Sequence, residues 1–289
     1  MSGKAPIGSI AFIGLGLIGM SLLRAMKNAA ASRELPIVFS GFDPGFSPAD
    51  REEALRLGLD CFSENRRELF GTDLVVLAAP VEANISMLDE IARLAPPTTL
   101  VTDVSSTKGL ISEKARRLGV RFIGMHPMAG KEQQGFRESS ADLFRDQPMI
   151  LCDSRGELET ERGRLLTALL RDAGCRLSRM EPGLHDRVVA KVSHLPQLLS
   201  TLLMARSGGE LRHSGPGFAS FTRLAGSPWE IWRDIIATNS GNISQELEGF
   251  SQELMELSRE LRQGRHDTLE TRFNEANRLY GELKEMQRQ

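Results

Sequence analysis

The stretch Ile10-Ala11-Phe12-Ile13-Gly14-Leu15-Gly16-Leu17-Ile18-Gly19 decides the reading of this chain. A short β-prone apolar run breaks into Gly-x-Gly-x-x-Gly and continues as an apolar helix to Met26. Gly14 permits the tight turn after the strand, Gly16 lets the backbone approach a pyrophosphate, and Gly19 lets the helix pack on the strand. The first helical turn, at Leu17 and Ile18, turns its free N–H groups and positive end toward the anion. A second β-prone run, 37–42, ends in Asp43, an acid placed roughly 20 residues past the glycines to accept both adenosine ribose hydroxyls. The same carboxylate repels a 2′-phosphate, and Pro44, Gly45 and Phe46 supply no basic partner. NAD is therefore favoured over NADP, with Arg51 the one nearby cation that could swing in. An ordinary strand–turn–helix with no ligand is the alternative, and the surrounding strand, helix and acid weigh against it.

Outward from this turn, short apolar runs alternate with amphipathic stretches as far as Met180, the mark of βαβ units and a parallel sheet. Strands are expected at 9–13, 36–42, 59–62, 73–79, 98–104, 120–125, 147–152 and 175–180. Leu74 to Ala79 is apolar throughout, as in a strand buried on both faces, and Pro80 ends it. Ligands of open α/β sheets sit at the carboxyl edge, so the loops after residues 13, 79, 104 and 125 should face one crevice. That places Ala79, Pro80 and Ser105 beside the cofactor.

Beyond Met180 the pattern is helical. Leu184, Val188, Val192, Leu195, Leu199 and Leu202 recur at three- and four-residue steps, giving one long apolar helix that Pro196 should kink. Ile243, Leu247, Phe250, Leu254, Leu257 and Leu261 are spaced 4, 3, 4, 3, 4, and after Gly264 the residues Leu269, Phe273, Ala276, Tyr280 and Leu283 repeat the pattern. This is a helical hairpin with a narrow apolar seam on each arm. A helix apolar over so much of its circumference needs more cover than one small domain gives, which favours a homodimer. The fold expected is α/β: a Rossmann-type dinucleotide-binding domain over 1–180 and an all-helical dimerisation domain over 181–289.

Size and composition agree. The 289 residues suffice for two domains, and 40% hydrophobic with 26% charged residues describes an ordinary soluble globular protein. A net charge of -2 with no basic block argues against nucleic-acid binding. Three scattered cysteines, Cys61, Cys152 and Cys175, lack metal-ligand spacing and suit a reducing cytoplasm, so no metal is expected. No continuous apolar run approaches the ~20 residues of a membrane span, and no secretory signal pattern opens the chain.

Three clusters bear chemistry on the crevice side: Asp103-Val104-Ser105-Ser106-Thr107-Lys108-Gly109, His126-Pro127-Met128-Ala129-Gly130, and Phe221-Thr222-Arg223 ahead of Trp229 and Trp232. With the glycine turn and Ser193-His194-Leu195-Pro196, they resemble the prephenate and arogenate dehydrogenase family, from about residue 8 to about 243 in one order. The resemblance implies NAD-dependent oxidative decarboxylation of a hydroxylated cyclohexadienyl ring in tyrosine biosynthesis, with prephenate as substrate and arogenate as the alternative. It gives His126 the role of hydrogen-bond acceptor for the ring hydroxyl, which a neutral imidazole suits. Ser106 is implied as its partner in catalysis, and Arg223 as the fork that grips a substrate carboxylate. His194 and Trp232 are implied at the substrate. On local grounds alone, Ser105 or Ser106 could instead cap a helix starting near Thr107, Lys108 could be solvated there, and His185 with Asp186 could be an idle helix-start pair.

The chain departs from the family pattern at Gln197, where many relatives have a second histidine, and at Ser220, where many have an acid. A glutamine near the substrate bears on the choice between a keto and an amino side chain. With the last residue inside the helical hairpin, feedback by tyrosine is expected only by competition at the site. The other readings are a β-hydroxyacid dehydrogenase, with Lys191 standing in for its helix lysine, and a non-catalytic NAD-binding dimer.

Overall fold

The computed structural model describes residues 5–288 other than Glu132. By compactness the chain divides into Met1–Ser240 and Gly241–Gln289. The first unit is built on eight strands: β1 (Ser9–Ile13), β2 (Val38–Phe42), β3 (Cys61–Phe62), β4 (Leu74–Leu77), β5 (Leu100–Asp103), β6 (Arg121–Pro127), β7 (Pro148–Cys152) and β8 (Arg176–Met180). They form one sheet in the order β3-β2-β1-β4-β5-β6-β7-β8. Every expected strand is present, each within a few residues of its expected bounds.

The sheet is not parallel throughout. β6 pairs antiparallel with β7, and β8 pairs parallel with β7, so the last two strands run against the first six. The described residues of 128–147, between β6 and β7, hold no α-helix and one 3-10 turn at Phe136–Glu138, so no helical crossover returns the chain in the same direction.

Helices α1 (Leu17–Ser32), α2 (Pro48–Leu57), α3 (Arg66–Phe70), α4 (Val81–Leu94), α5 (Gly109–Arg117) and α6 (Glu161–Asp172) connect the strands. Alternation along β1 sorts the core into two layers. Ile10 and Phe12 pack with Met20, Leu23 and Met26 of α1 and Leu166 of α6. Ala11 and Ile13 pack with Phe70, Leu88, Ile91 and Ile111 of α3, α4 and α5. With helices on both faces, β4 is buried along its whole length. The chain order reverses between β1 and β4, and the crevice at such a switch point is where open α/β sheets bind ligands.

After β8 come α7 (Pro182–Val189), a π-helical turn at Ala190–His194, α8 (Leu195–Arg206), α9 (Pro216–Thr222) and α10 (Trp229–Arg262). Pro196 does not simply kink the helix. It sits in the first turn of α8, and the irregularity falls just before it as the π turn, which re-aims His194. The continuous helix 182–206 contains an 18-residue window of mean hydropathy 1.3, and by length and composition alone it could cross a membrane, which no unbroken apolar run in the sequence suggested. Yet its His185 and Asp186 are buried and bonded to residues of the sheet domain, the situation of a docked helix.

In the second unit, the end of α10 leads through Gly264, at φ +64, into α11 (His266–Arg288). Glu260 accepts from Arg272 at 3.0 Å near this turn. Leu254, Leu261, Phe273 and Tyr280, four members of the expected seam, are exposed.

Candidate active site

The glycine turn has the form its sequence demands. Gly14 stands at φ +96, and a Cβ there would lie 2.5 Å from the Ala78 carbonyl carbon. A Cβ on Gly19 would lie 2.2 Å from the Gly14 oxygen, so α1 approaches β1 closer than any side chain permits. Gly16, by contrast, is exposed and faces open space. Helix α1 has no side-chain cap and no acid in its first turn, so its positive end is uncompensated. Leu17 and Ile18 are half-buried there. A backbone cradle with open space and uncapped N–H groups fits a pyrophosphate.

Asp43 lies at the end of β2, its carboxylate accepting the Leu15 and Gly45 N–H groups, each at 2.9 Å. These bonds aim the acid at the turn and leave lone pairs for ribose hydroxyls. Arg51, the cation that could have met a 2′-phosphate, is held instead by Glu64 at 2.5 Å, with its guanidinium over the Phe62 ring. The residues present therefore fit NAD.

The loops after β4 and β5 are tied by a residue that no motif in the sequence singles out. Asn84 is fully buried, donates to the Ala79 carbonyl at 2.8 Å and to Ser105 Oγ at 3.0 Å, and accepts from the Ala79 N–H at 3.2 Å. Ala79 and Ser105 are thus fixed to each other beside exposed Pro80.

Lys108 is not solvated at a helix start. It is fully buried and pairs with buried Asp103 at 2.5 Å. The close passage of Lys108 explains Gly124 on β6, where a Cβ would lie 2.7 Å from the lysine Cδ. Nor does a serine cap the helix: α5 begins at Gly109, with no side-chain cap. Ser106 is half-buried and has no hydrogen bond to another described residue, so the structure does not join it to His126.

His126 is buried near the end of β6, and its bonded partner is His185. Nδ1 of His126 lies 2.9 Å from Nε2 of His185, whose own Nδ1 lies 2.8 Å from Asp186 Oδ1. His185 and Asp186 are therefore not an idle helix-start pair. Burial, with the Lys108 ammonium and then His185 and His194 adding to it, holds the His126 imidazole well below the ordinary histidine range. The imidazole is thus the neutral acceptor at neutral pH.

His194 is also buried, and burial pushes it down to about 4, with nearby Asp186 opposing and His185 adding. Its Nδ1 meets Asn239 Nδ2 at 3.3 Å, its ring stands edge-on to Trp232 at 5.7 Å, and its Nε2 is buried without a partner. Such an orphaned nitrogen is what an acceptor on a bound ligand would satisfy. Asn239, the one non-helical residue inside α10, also donates to the Asp186 carbonyl at 2.8 Å.

Arg223 is exposed at the start of a 3-10 turn, Arg223–Gly226. Helix α8 anchors that turn from beneath: Gln197 donates to the Leu224 carbonyl at 2.8 Å, and Ser200 Oγ accepts the Ala225 N–H at 3.0 Å. The Gln197 amide nitrogen is thus committed to holding the arginine turn. The structure joins His126, His185, Asp186, Asn239, His194 and Trp232 in one contiguous set, and Gln197 with the Arg223 turn in another. Neighbouring His185 and Asp186 within a largely apolar helix were the signal available in the sequence for the partners of His126.

A doubly wound sheet with an uncapped glycine turn at its switch point, and a neutral buried imidazole at the end of a sheet strand, defines an NAD-dependent dehydrogenase. The nucleotide-binding domain of prephenate dehydrogenase matches residues 37–178 and the dimerization domain of prephenate dehydrogenase matches residues 181–275. The chain belongs to the prephenate dehydrogenase family. It is 27% identical to the prephenate dehydrogenase of Lactococcus lactis, over 93% of this chain and 76% of that one. Among solved structures it is similar to the Aquifex aeolicus prephenate dehydrogenase in complex with hydroxyphenyl propionate and NAD+, at TM-score 0.85 and 26% identity, covering 96% of this chain and 98% of that one. The Synechocystis arogenate dehydrogenase is similar at TM-score 0.80 and 26% identity, covering 93% and 97%.

Proposed function

We propose that this protein oxidatively decarboxylates prephenate to 4-hydroxyphenylpyruvate with NAD, in the tyrosine branch of aromatic amino-acid synthesis. The observation that carries this reading is the buried, neutral His126 near the end of β6, in a family whose members are named for this reaction. NAD, when bound, supplies the acceptor for the hydride of the hydroxyl-bearing ring carbon. His126 takes the hydroxyl proton as that C–H electron pair leaves; the ring carboxylate departs as carbon dioxide, its bonding pair makes the ring aromatic, and the ring oxygen takes the proton back as the phenol. Aromatisation drives the reaction, so the residues chiefly align the substrate and receive one proton. Ser106, with its hydroxyl uncommitted, bonds the substrate hydroxyl beside His126. Arg223 grips a substrate carboxylate, while His194 and Trp232 line the site and Gln197 holds the arginine turn.

Arogenate is the second reading, favoured by the similar Synechocystis structure. Lys191, the residue a β-hydroxyacid dehydrogenase would need, is exposed on the π turn and weighs against that chemistry. The functional division falls near residue 180, nucleotide on the sheet side and substrate arginine on the helical side. Exposed Leu184, Val192 and Leu202 on the helix 182–206 support a homodimer through the helical domain, working in the cytoplasm.

The test is nicotinamide reduction followed at saturating NAD with prephenate and arogenate side by side. Prephenate should give the higher kcat/KM; turnover of neither overturns the reading. Arg223→Ala should raise KM for the substrate about 100-fold while the Kd for NAD stays within about two-fold. Equal losses in both would make Arg223 a support of the fold.

A further inference from the structure

The line from His126 to Asp186 fixes where each ring proton sits. Asp186 Oδ1 accepts the Lys108 N–H and Oδ2 the Gly109 N–H, each at 2.7 Å. Those bonds use backbone donors only, and the remaining contact of the carboxylate is His185 Nδ1 at 2.8 Å. A carboxylate surrounded by N–H groups is an acceptor to each of them, so His185 presents Nδ1–H. When that is the one proton of the ring, His185 Nε2 is a lone pair. Only a proton on His126 Nδ1 can meet that lone pair across 2.9 Å. His126 Nε2 is then the basic nitrogen, and it has no protein partner among the described residues.

The groups facing this line come from every element packed on it: Lys108 and Asp103 from the end of β5, Cys152 from β7, His194 from the π turn, and Asp186 itself. Lys108 is the cation among them and is neutralised by Asp103. Asp186 is the carboxylate in contact with the His185 ring.

We propose that His185 and Asp186 are positioning residues for the dehydrogenation: they hold His126 as its Nδ1–H tautomer, so that Nε2 receives the substrate hydroxyl proton. The inference rests on the dehydrogenase reading above. In the step, the hydroxyl O–H bond breaks, the Nε2–H bond forms, and the hydride leaves the same carbon for the nicotinamide. The positive charge gained by His126 is stabilised through His185 by the Asp186 carboxylate. A hydrogen-bonded acid that fixes a catalytic imidazole's tautomer has large rate effects when lost.

The test uses the full-length protein labelled with 15N-histidine, NAD bound, with the His126 signals assigned by their absence in His126→Asn. Wild type should show His126 protonated at Nδ1 and bare at Nε2. His185→Gln, whose side-chain oxygen reaches the place of Nε2 and accepts the same bond, should keep that tautomer; His185→Leu should lose it. With substrate, His185→Leu should lower kcat about 100-fold or more, and His185→Gln should recover at least about ten-fold of that loss. KM and the Kd for NAD should stay within about three-fold in both variants. A wild-type His126 carrying its proton on Nε2, or a folded His185→Leu with unchanged kcat, overturns the proposal. The wild-type spectrum needs neither variant at position 185 to fold, nor any substrate. A protein that turns over neither prephenate nor arogenate overturns the functional reading separately, and the tautomer still decides this one.

Discussion

At the scale of single residues, the chemistry turns on which imidazole is neutral and which nitrogen is bare. Because burial and Lys108 depress His126, its acceptor form persists below the ordinary histidine range. It is lost only as pH falls through that depressed value. The acidic limb of kcat/KM should therefore lie below pH ~6.5, the reference for a free imidazole. A limb at or above that value in the free enzyme would contradict the burial argument. His126→Asn should cost about 100- to 10,000-fold in kcat while NAD affinity, read by fluorescence quenching, changes little. His126, Arg223 and the glycines were legible as candidates because each sits in a contiguous run whose residue types are tied to a task. Asn84 and His185 were not. Their partners stand 21 and 59 residues away, at Ser105 and His126; the pairing of β4 with β5 brings the first couple together, and the run of β6, β7 and β8 into α7 brings the second.

At the scale of elements, two contacts set the site. The first is the seat of α1 on β1. Gly19→Ala would drive a methyl into the Gly14 carbonyl oxygen, which lies on backbone that cannot swing aside. The helix must lift, so Gly19→Ala should lower the urea midpoint by the equivalent of about 2 kcal/mol or more and weaken NAD binding together. The second is the anchoring of the Arg223 turn on α8. Ser200→Ala removes the acceptor of the Ala225 N–H, a partly buried bond worth about 1 kcal/mol. It should raise the substrate KM several-fold with kcat at saturation nearly unchanged; a fall in kcat alone would break the link between turn and substrate. Strand positions were readable here because β4 and its neighbours are apolar on both faces. The reversal at β7 was not, since strand direction depends on the connection, and residues 128–147 carry no helical period to reveal it. The π turn was likewise hidden: proline announces a disturbance without specifying its form.

At the scale of the whole molecule, the two depressed histidines make stability depend on pH. The unfolded chain titrates them near 6.5, whereas the native His194 does so at about 4. The unfolded state thus binds more protons in that window, and the stabilisation present above pH ~6.5 is lost as pH falls toward 4. His194 alone accounts for roughly 3 kcal/mol at the lower end. Tm should decline from pH 7 to pH 5 in wild type and decline less in His194→Gln; parallel curves would rule this out. The change of period at Met180 coincides with the end of the last strand and the start of the helices, whereas the division by compactness at Ser240 has no counterpart in the sequence pattern.

The uncovered leucine and valine side chains of the 182–206 helix carry a further implication for how the molecule endures dilution. If two copies shield that surface together, folding becomes a second-order equilibrium, and survival in heat rises with the amount of protein in the tube. The arginine turn rests on the same helix, so thinning the solution would loosen substrate capture well before the nucleotide pocket gives way.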